Sequence, residues 1–528
     1  MKKDTFQKTI YILTLFYLVP LCVILSFNAL ISAVQTTYMD LYQEAEIPRY
    51  KGDHPILLVL ITILILGLFV FFFISLSKKE AAHLHRIKKS AEICSISLAA
   101  LICFSAILLF RCIVSCDSSL ISDIAIQFMK GDYSAFSGDG YLRHYPFQIG
   151  MVGYLQIFYT LFGIECFLPL QFANAILILV SVFVFHRICD LLFADDLFGI
   201  LFSVCSIAFL PLYLYAIFIY GDVPGICFGI YGIYFVMKYM KCHSKWSMLP
   251  AAICMSLSLI LKGNSMILLI AVLIGLILYA ISERDPFSIL FCIVLILGYV
   301  LPNKVLYAAY AHAAGLQHLP DGIPKVAWIA MGLQPNDAVG YGAYNGYNWD
   351  LYTKMNYDSA ASSAAAIANI RESLSGFAAS PKYALKFFYY KFISMWNMPD
   401  CNAQLHAEWY SRHVEGHSAL ALSLIYGTGR SVLSVIMNYL QFMILVGASV
   451  FAGLSLMPSS RFQKGGCHLL TVPISLSVFG GYLFHMFWES QSRYALPYYV
   501  LCIPMAVLGW YEVILWVQKM IPKRRPAP

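Results

Sequence analysis

Two carboxylates and two cations stand at breaks between long apolar runs, where their side chains could do chemistry. The carboxylates are Asp117 and Asp222, and the cations are Lys262 and Arg493. A carboxylate that is partly removed from water beside a cation is suited to take a proton from a hydroxyl group. Lysine and arginine bind phosphate and stabilise it as it leaves. These residue types indicate either a reaction site or an ion-handling site.

The two carboxylates also have structural interpretations. Asp117 could be a solvated loop acid or the N-cap of an amphipathic stretch from Ser118 to Met129. Asp222 could cap a helix that begins near Pro224. An acid so close to hydrocarbon is costly and usually has a partner or a task, so Asp222 is a functional candidate as well as a possible cap.

The two cations have structural interpretations of the same weight. Lys262 lies in a three-residue break between apolar helices, and its side chain could extend toward lipid headgroups. Arg493 follows Glu489 by four residues, the spacing of a salt bridge along a helix. The functional alternative is that both cations hold a phosphate group.

Further residues near these breaks are candidates for substrate binding. They are Asp123, His144, Tyr145, Gln148 and Glu489. Asp123 follows Asp117 by six residues, so in a helix the two need not share a face, and an exposed helix acid is its simpler interpretation. His144 could contact sugar or phosphate, although a hydrogen bond within its loop is the commoner use of such a residue.

The composition excludes a water-soluble globular protein. Of 528 residues, 60% are hydrophobic and only 12% are charged. Apolar runs of about 20 residues cross a hydrocarbon layer as helices, and no alternating strand pattern suggests a barrel. We therefore predict an all-α polytopic membrane protein with about twelve transmembrane helices, at roughly 9–34, 55–77, 93–114, 166–187, 197–217, 224–240, 247–261, 265–282, 286–303, 433–455, 468–487 and 495–517.

Basic residues predict the orientation of these helices. The net charge of +7 is spread over short clusters between the spans, which argues against nucleic acid as a partner. By the positive-inside rule the clusters mark the cytoplasmic side. Both termini are then cytoplasmic. The clusters are Lys2 and Lys3, Lys78 to Lys89, Lys238 to Lys245, and Lys519 to Arg525.

This orientation places the four charged breaks on the outer face. The run from Ile149 to Gly163 is short for a span, and we interpret it as a re-entrant or surface helix. The domain organisation that follows is an N-terminal two-helix extension (1–92), a transmembrane core (93–303) whose first outer loop is 115–148, an extracytoplasmic cap segment (304–432) and C-terminal transmembrane helices (433–528).

The cysteines and histidines indicate no metal framework. Most of the 15 cysteines lie in apolar spans, where a thiol behaves as a small hydrophobic group. Cys116 and Cys401 fall in two outer segments and could pair. No Cys/His spacing is typical of a zinc site. We expect no required cofactor and no required metal, with a divalent ion as the open alternative.

Five short motifs resemble the GT-C membrane glycosyltransferases, in particular the protein O-mannosyltransferase and aminoarabinose transferase branch. The resemblance runs from about residue 93 to the C-terminus. The matching pieces are Asp117 eight residues before Ala125 and then Gly131; Tyr145-Pro146 leading into Leu155 to Gly163; Tyr220-Gly-Asp222-Val-Pro224; Leu261-Lys262-Gly263; and Ser492-Arg493-Tyr494 followed by Pro497.

The resemblance implies transfer of a sugar, with inversion, from a polyprenyl-phosphate donor to an acceptor hydroxyl outside a bacterial plasma membrane. Asp117 takes the place of the first-loop acid of the family and Asp222 that of its second outer acid. Many relatives carry an Asp-Glu pair in the first loop, whereas Ser118 follows Asp117 here. The acceptor could be a glycan, a lipid or a protein, and membrane lipids surround the site.

Two other classes of membrane protein remain as alternatives. A flippase or transporter for a lipid-linked sugar would carry acids inside its helices and repeated halves, neither of which the sequence indicates. A glycan ligase or polymerase of the O-antigen type would share the lipid-linked donor.

Overall fold

Helices form almost all of the described chain. The computed structural model describes residues 2–41, 46–336, 340–457 and 467–521, so the predicted cluster at Lys523 to Arg525 lies outside it. The helices are α1 (Lys2–Val34), α2 (Pro55–Leu76), α3 (Ala81–Phe110), α4 (Asp117–Met129), α5 (Tyr141–His144), α6 (Ile149–Phe162), α7 (Phe167–Leu192), α8 (Asp196–Cys205), α9 (Leu210–Leu214), α10 (Asp222–Cys242), α11 (Met248–Leu261), α12 (Met266–Glu283), α13 (Pro286–Ala313), α14 (Lys325–Gly332), α15 (Tyr347–Lys354), α16 (Ser359–Ala379), α17 (Pro381–Trp396), α18 (Ala403–Ser411), α19 (Ala419–Tyr426), α20 (Thr428–Ser455), α21 (Cys467–Phe487) and α22 (Leu496–Met520). Strands β1 (Gln35–Met39) and β2 (Pro48–Gly52) pair as an antiparallel hairpin.

Eleven helical segments of the described residues are long and apolar enough to cross a membrane. This confirms the prediction of an all-α, polytopic integral membrane protein. The segments are Tyr11–Val34, Pro55–Leu76, Ala81–Phe110, Phe167–Leu192, Asp196–Ile217, Asp222–Cys242, Gly263–Glu283, Pro286–Ala313, Thr428–Ser455, His468–Phe487 and Ser492–Met520.

The structure differs from the predicted spans at three places. The run 247–261, predicted as a twelfth span, forms α11, whose 14 residues extend only about 21 Å. Helix α3 begins at Ala81, so much of the basic cluster from Lys78 to Lys89 is helical. Helix α13 continues to Ala313, ten residues past the predicted end of its span at 303. Helix α6 also has 14 residues and is not among the eleven segments.

Segments predicted to share the cytoplasmic side meet at one end of the helices. Lys88 of α3 contacts Asp190 at 2.7 Å and Asp196 at 3.4 Å, so the first basic cluster reaches the turn between α7 and α8. Arg187 pairs with Asp190 at 3.0 Å in the same group. These paired charges join the ends of three helices.

The N-terminal extension packs against the C-terminal helices. Helix α1 lies along α20, and α2 contacts α22. The hairpin between α1 and α2 is fixed to the end of α17, because the Thr37 amide donates to the Asn397 carbonyl at 3.0 Å and the Asn397 side chain donates to the Gln35 carbonyl at 2.6 Å. The hairpin and the cap therefore occupy the same end of the molecule.

The cap segment has a small hydrophobic core. Helices α14, α15 and α16 contribute Trp328, Met331, Tyr352 and Ala366 to a buried cluster separate from the main core. This core gives the cap its own packing above the ends of the spanning helices.

Two glycines allow the turn after α11 to lie against the start of α10. A Cβ atom on Gly221 would meet the Leu261 carbonyl oxygen at 2.0 Å, and one on Gly225 would meet the Lys262 Cβ at 2.5 Å. No larger residue fits at this approach without moving backbone. The close contact brings Lys262 beside the first turn of α10.

We expect Gly221→Ala to destabilise the protein by about 1 to 3 kcal/mol, because the added methyl group must displace the end of α11. Thermal unfolding in detergent micelles measures the loss. Gly263→Ala is the matched control, because Gly263 lies in the same turn with nothing within 4 Å of its added Cβ. Equal effects of the two substitutions would contradict the packing argument.

Candidate active site

A buried ion pair between Asp222 and Lys262 forms the centre of the site. The Lys262 Nζ lies 2.9 Å from each carboxylate oxygen of Asp222. Burial lowers the pKa of Lys262, while the charge of Asp222 raises it. Asp222 is the first residue of α10 and makes no cap near Pro224, and Lys262 turns toward Asp222 instead of extending to headgroups. Both structural interpretations from the sequence are wrong.

Arg493 lies beside this pair without an ion-pair partner in the described part of the chain. The Lys262 Nζ is 4.9 Å from the Tyr220 ring and 5.3 Å from the Tyr494 ring. The Arg493 Cζ is 5.5 Å and 5.2 Å from the same two rings. The rings attract both cations through their electron-rich faces and hold them close together.

The donors of Arg493 are only partly used. Nη2 is 3.4 Å from the Tyr494 hydroxyl, and the buried Nε has no hydrogen-bond partner in the described residues. The predicted helical salt bridge with Glu489 is wrong, because α21 ends at Phe487 and a 3-10 turn begins only at Ser492. A buried guanidinium N–H without an acceptor is costly, so Arg493 is suited to receive an anion.

A small cavity opens between these charges. It has a volume of about 20 Å³ and is lined by Asp222, Lys262, Asn264, Ser265 and Arg493, among others. Asn264 and Ser265 belong to the short 3-10 turn between α11 and α12 and form part of the cavity wall. The cavity has room for about one water molecule.

Asp117 is the first acid of the first loop, and its charge acts on Tyr220. It is the first residue of α4 and half-exposed, so it is not the predicted N-cap. Cys116 before it has φ 51° and ψ −134°, a conformation that favours glycine and costs a larger residue about 1 to 3 kcal/mol. Ser118 after it is buried and hydrogen-bonds the Tyr410 hydroxyl. The strained residue and the Ser118 contact fix the start of α4.

Tyr220 lies among the charged groups of the site. Burial raises the pKa of its hydroxyl, the charges of Asp117 and Asp222 raise it further, and Arg493 lowers it. The Gln148 side-chain amide donates to the same hydroxyl. One tyrosine is therefore surrounded by four residues that the sequence analysis selected: Gln148, Asp117, Asp222 and Arg493.

Glu489 is a buried acid close to Arg493. Burial raises its pKa to about 7, Arg493 lowers it, and Glu46 and Asp117 raise it. Burial also lowers the pKa of Lys391 to about 7, and the charge of Glu489 opposes this shift. Both groups are thus close to changing charge at neutral pH.

Several residues of this neighbourhood were not among the sequence candidates. Tyr220 and Tyr494 belong to motifs that were selected for their charged residues, so their position was a usable signal. Glu46 hydrogen-bonds the Gln491 side chain and interacts with Arg493 and Asp117. It belongs to the N-terminal extension, and no motif in the sequence marks it.

Three of the predicted substrate-binding candidates have other surroundings. His144 is buried and stacks on Trp349 with ring centres 3.4 Å apart, and its ring nitrogens contact the Gly140 carbonyl and Thr353. These contacts join the first loop to the cap. Asp123 is exposed on α4. Tyr145 is half-buried. Burial raises its pKa, and the charges of Asp117 and Glu489 raise it further, so Tyr145 lies at the edge of the site.

The described residues contain no group of three or more His, Cys, Asp or Glu side chains that could hold a metal ion. Cys116 is exposed, Cys401 is buried, and both are free thiols, so the proposed pairing does not form. Comparison with protein-family models, with curated proteins and with solved structures finds no match to this chain.

We expect the substitutions Asp222→Asn and Lys262→Met to cost about 3 to 5 kcal/mol each, because either one leaves a buried charge without its partner. The double variant should cost less than the sum of the two by about 1 kcal/mol or more. Unfolding in detergent measures all three. The exposed pair of Arg49 and Asp40, 3.2 Å apart, is the control and should show a coupling near zero. Additive losses at Asp222 and Lys262 would show that the pair is not coupled.

The raised pKa of Glu489 predicts a pH dependence of stability. Its folded-state pKa of about 7 lies above its ordinary value of 4.5. The stabilisation of the folded state by protonated Glu489 is therefore complete below about pH 4.5 and is lost as the pH rises through 7. We expect Glu489→Gln to flatten the fall in stability over this window and to leave the variant more stable than the parent at pH 8. Unfolding midpoints measured against pH test this, with Asp123→Asn as the control. Parallel curves for parent and Glu489→Gln would refute it.

Proposed function

We propose that this chain is a membrane glycosyltransferase that moves a sugar from a polyprenyl-phosphate donor to an acceptor hydroxyl, with inversion at the anomeric carbon. The observation that carries the proposal is the cation pair of Lys262 and Arg493, which line one cavity at the ends of membrane-spanning helices. Arg493 has no ion-pair partner among the described residues, and the charge of Asp117 acts on Tyr220, whose ring both cations approach. An anion site at the membrane edge suits a ligand whose phosphate is polar and whose tail is lipid. The sequence resemblance to the GT-C glycosyltransferases supports the same reaction.

The cation pair suits the leaving group. In the proposed reaction the acceptor oxygen forms a bond to the anomeric carbon while the bond from that carbon to the phosphate oxygen breaks. The electron pair of the broken bond stays on the polyprenyl phosphate. Lys262 and Arg493 stabilise this growing negative charge.

Asp117 is the better placed of two acids to take the proton of the acceptor hydroxyl. It is half-exposed at the start of α4, so an acceptor can reach it, whereas Glu489 is only 5% exposed. Glu489 has the pKa nearer to neutral, which suits a general base, but its burial limits contact with an acceptor. We therefore assign the base role to Asp117. Asp222 holds Lys262 in place.

The proposed orientation has both termini in the cytoplasm and the site on the extracytoplasmic face of a bacterial plasma membrane. The basic clusters support it through the positive-inside rule. Lys88 contacts Asp196 at the start of the span Asp196–Ile217, whereas Asp222 follows the end of that span. The basic cluster and the site therefore lie at opposite ends of this helical segment, which is consistent with the proposed orientation.

Asp117→Asn should lower turnover roughly 100-fold or more, because the amide cannot accept the proton. The assay uses the purified protein in lipid nanodiscs with a panel of polyprenyl-phosphate monosaccharides and follows release of polyprenyl phosphate. Asp123→Asn is the matched control, since it removes an exposed carboxylate from the same helix. It should retain full turnover.

Two results would contradict parts of the proposal. Full transfer by Asp117→Asn together with complete loss in Glu489→Gln would move the base role to Glu489. A second assay uses the protein in proteoliposomes. Movement of the donor across their membrane without any release of polyprenyl phosphate would favour the flippase alternative.

A further inference from the structure

The N-terminal hairpin delivers a carboxyl group to the site. Glu46 lies two residues before strand β2, which pairs with β1. Asn397 holds β1 at Gln35 and Thr37, and the Arg430 guanidinium donates to the Met39 carbonyl at 3.1 Å. These bonds set where Glu46 stands.

Glu46 joins this hairpin to the turn that carries Arg493. Its carboxyl group accepts a hydrogen bond from the Gln491 side-chain amide. Burial raises the pKa of Glu46, and the charge of Arg493 lowers it. Arg493 and Asp117 are the charged groups of the site that act on it from other elements.

The turn from Trp488 to Gln491 is held through Ser490 and Gln491, and the Ser490 hydroxyl donates to the Lys391 carbonyl at 3.2 Å. It lies between α21 and the 3-10 turn at Ser492, and the Ser490 amide donates to the Gly342 carbonyl at 2.7 Å. The Gln491 side chain is the turn's link to the N-terminal extension. Among the described residues the Arg493 side chain has one hydrogen bond, to the Tyr494 hydroxyl, so the turn before it helps the two aromatic rings to set its position.

We propose that Glu46 is a positioning residue: through Gln491 it fixes the turn that presents Arg493 to the phosphate of the donor. This inference rests on the proposed function and extends it, because it assigns a role in donor binding to the N-terminal extension. It also explains why a carboxyl group from outside the transmembrane core reaches the site.

The test measures binding of polyprenyl phosphate to the full chain in nanodiscs, separately from turnover. We expect Glu46→Ala to weaken binding about tenfold, because the buried Gln491 amide loses its acceptor. Glu46→Gln keeps an acceptor oxygen and should bind within about twofold of the parent. In turnover assays Glu46→Ala should raise KM for the donor and leave KM for the acceptor unchanged. Asp40→Asn, on the same hairpin and bound to Arg49, is the control and should change nothing.

A double-mutant cycle separates positioning from a general loss of structure. Gln491→Leu should weaken binding as much as Glu46→Ala, and the double variant should be no weaker than either single one. Additive losses, or normal binding by Glu46→Ala, would overturn the role of Glu46 while leaving the proposed function intact. Absence of polyprenyl phosphate binding by the parent protein would overturn both.

Discussion

The buried ion pair between Asp222 and Lys262 is the constraint on which the rest of the site depends. Neither charge is stable alone among apolar helices, so the start of α10 and the end of α11 must stay together. Gly221 permits this approach because it has no side chain to meet the Leu261 carbonyl. This contact fixes the position of Tyr220, which precedes Gly221. The charges of Asp117 in the first loop and of Arg493 before the last helix act on the Tyr220 side chain.

Charges of both signs gather around Tyr220. Lys262 and Arg493 supply more positive charge than Asp222 neutralises in the cavity that these three residues line. The charge of Asp117 acts on Tyr220, and that of Glu489 acts on Lys262. A membrane protein can sustain this arrangement only at helix ends, where backbone groups and water reach the charges.

Segments far apart in the chain complete this site. The hairpin after α1 adds Glu46, and α17 adds Lys391 beneath the turn that carries Glu489. The cap is joined to the first loop by the stacking of His144 on Trp349. The N-terminal extension, expected from the sequence to be an addition to the core, is thus part of the structure that surrounds the charges.

The sequence by itself determined the membrane fold and four of the charged residues of the site. Hydrophobic runs of sufficient length form helices in lipid whatever their neighbours, and Asp117, Asp222, Lys262 and Arg493 are conspicuous because charge in apolar sequence is costly. Only the tertiary structure decided the partners: Lys262 pairs with Asp222, the expected pairing of Arg493 with Glu489 does not form, and Glu46 enters the site. Partners depend on which helix ends adjoin. Close contacts such as that of Gly221 with Leu261 determine which helix ends adjoin, and neither hydropathy nor spacing along the chain predicts these contacts.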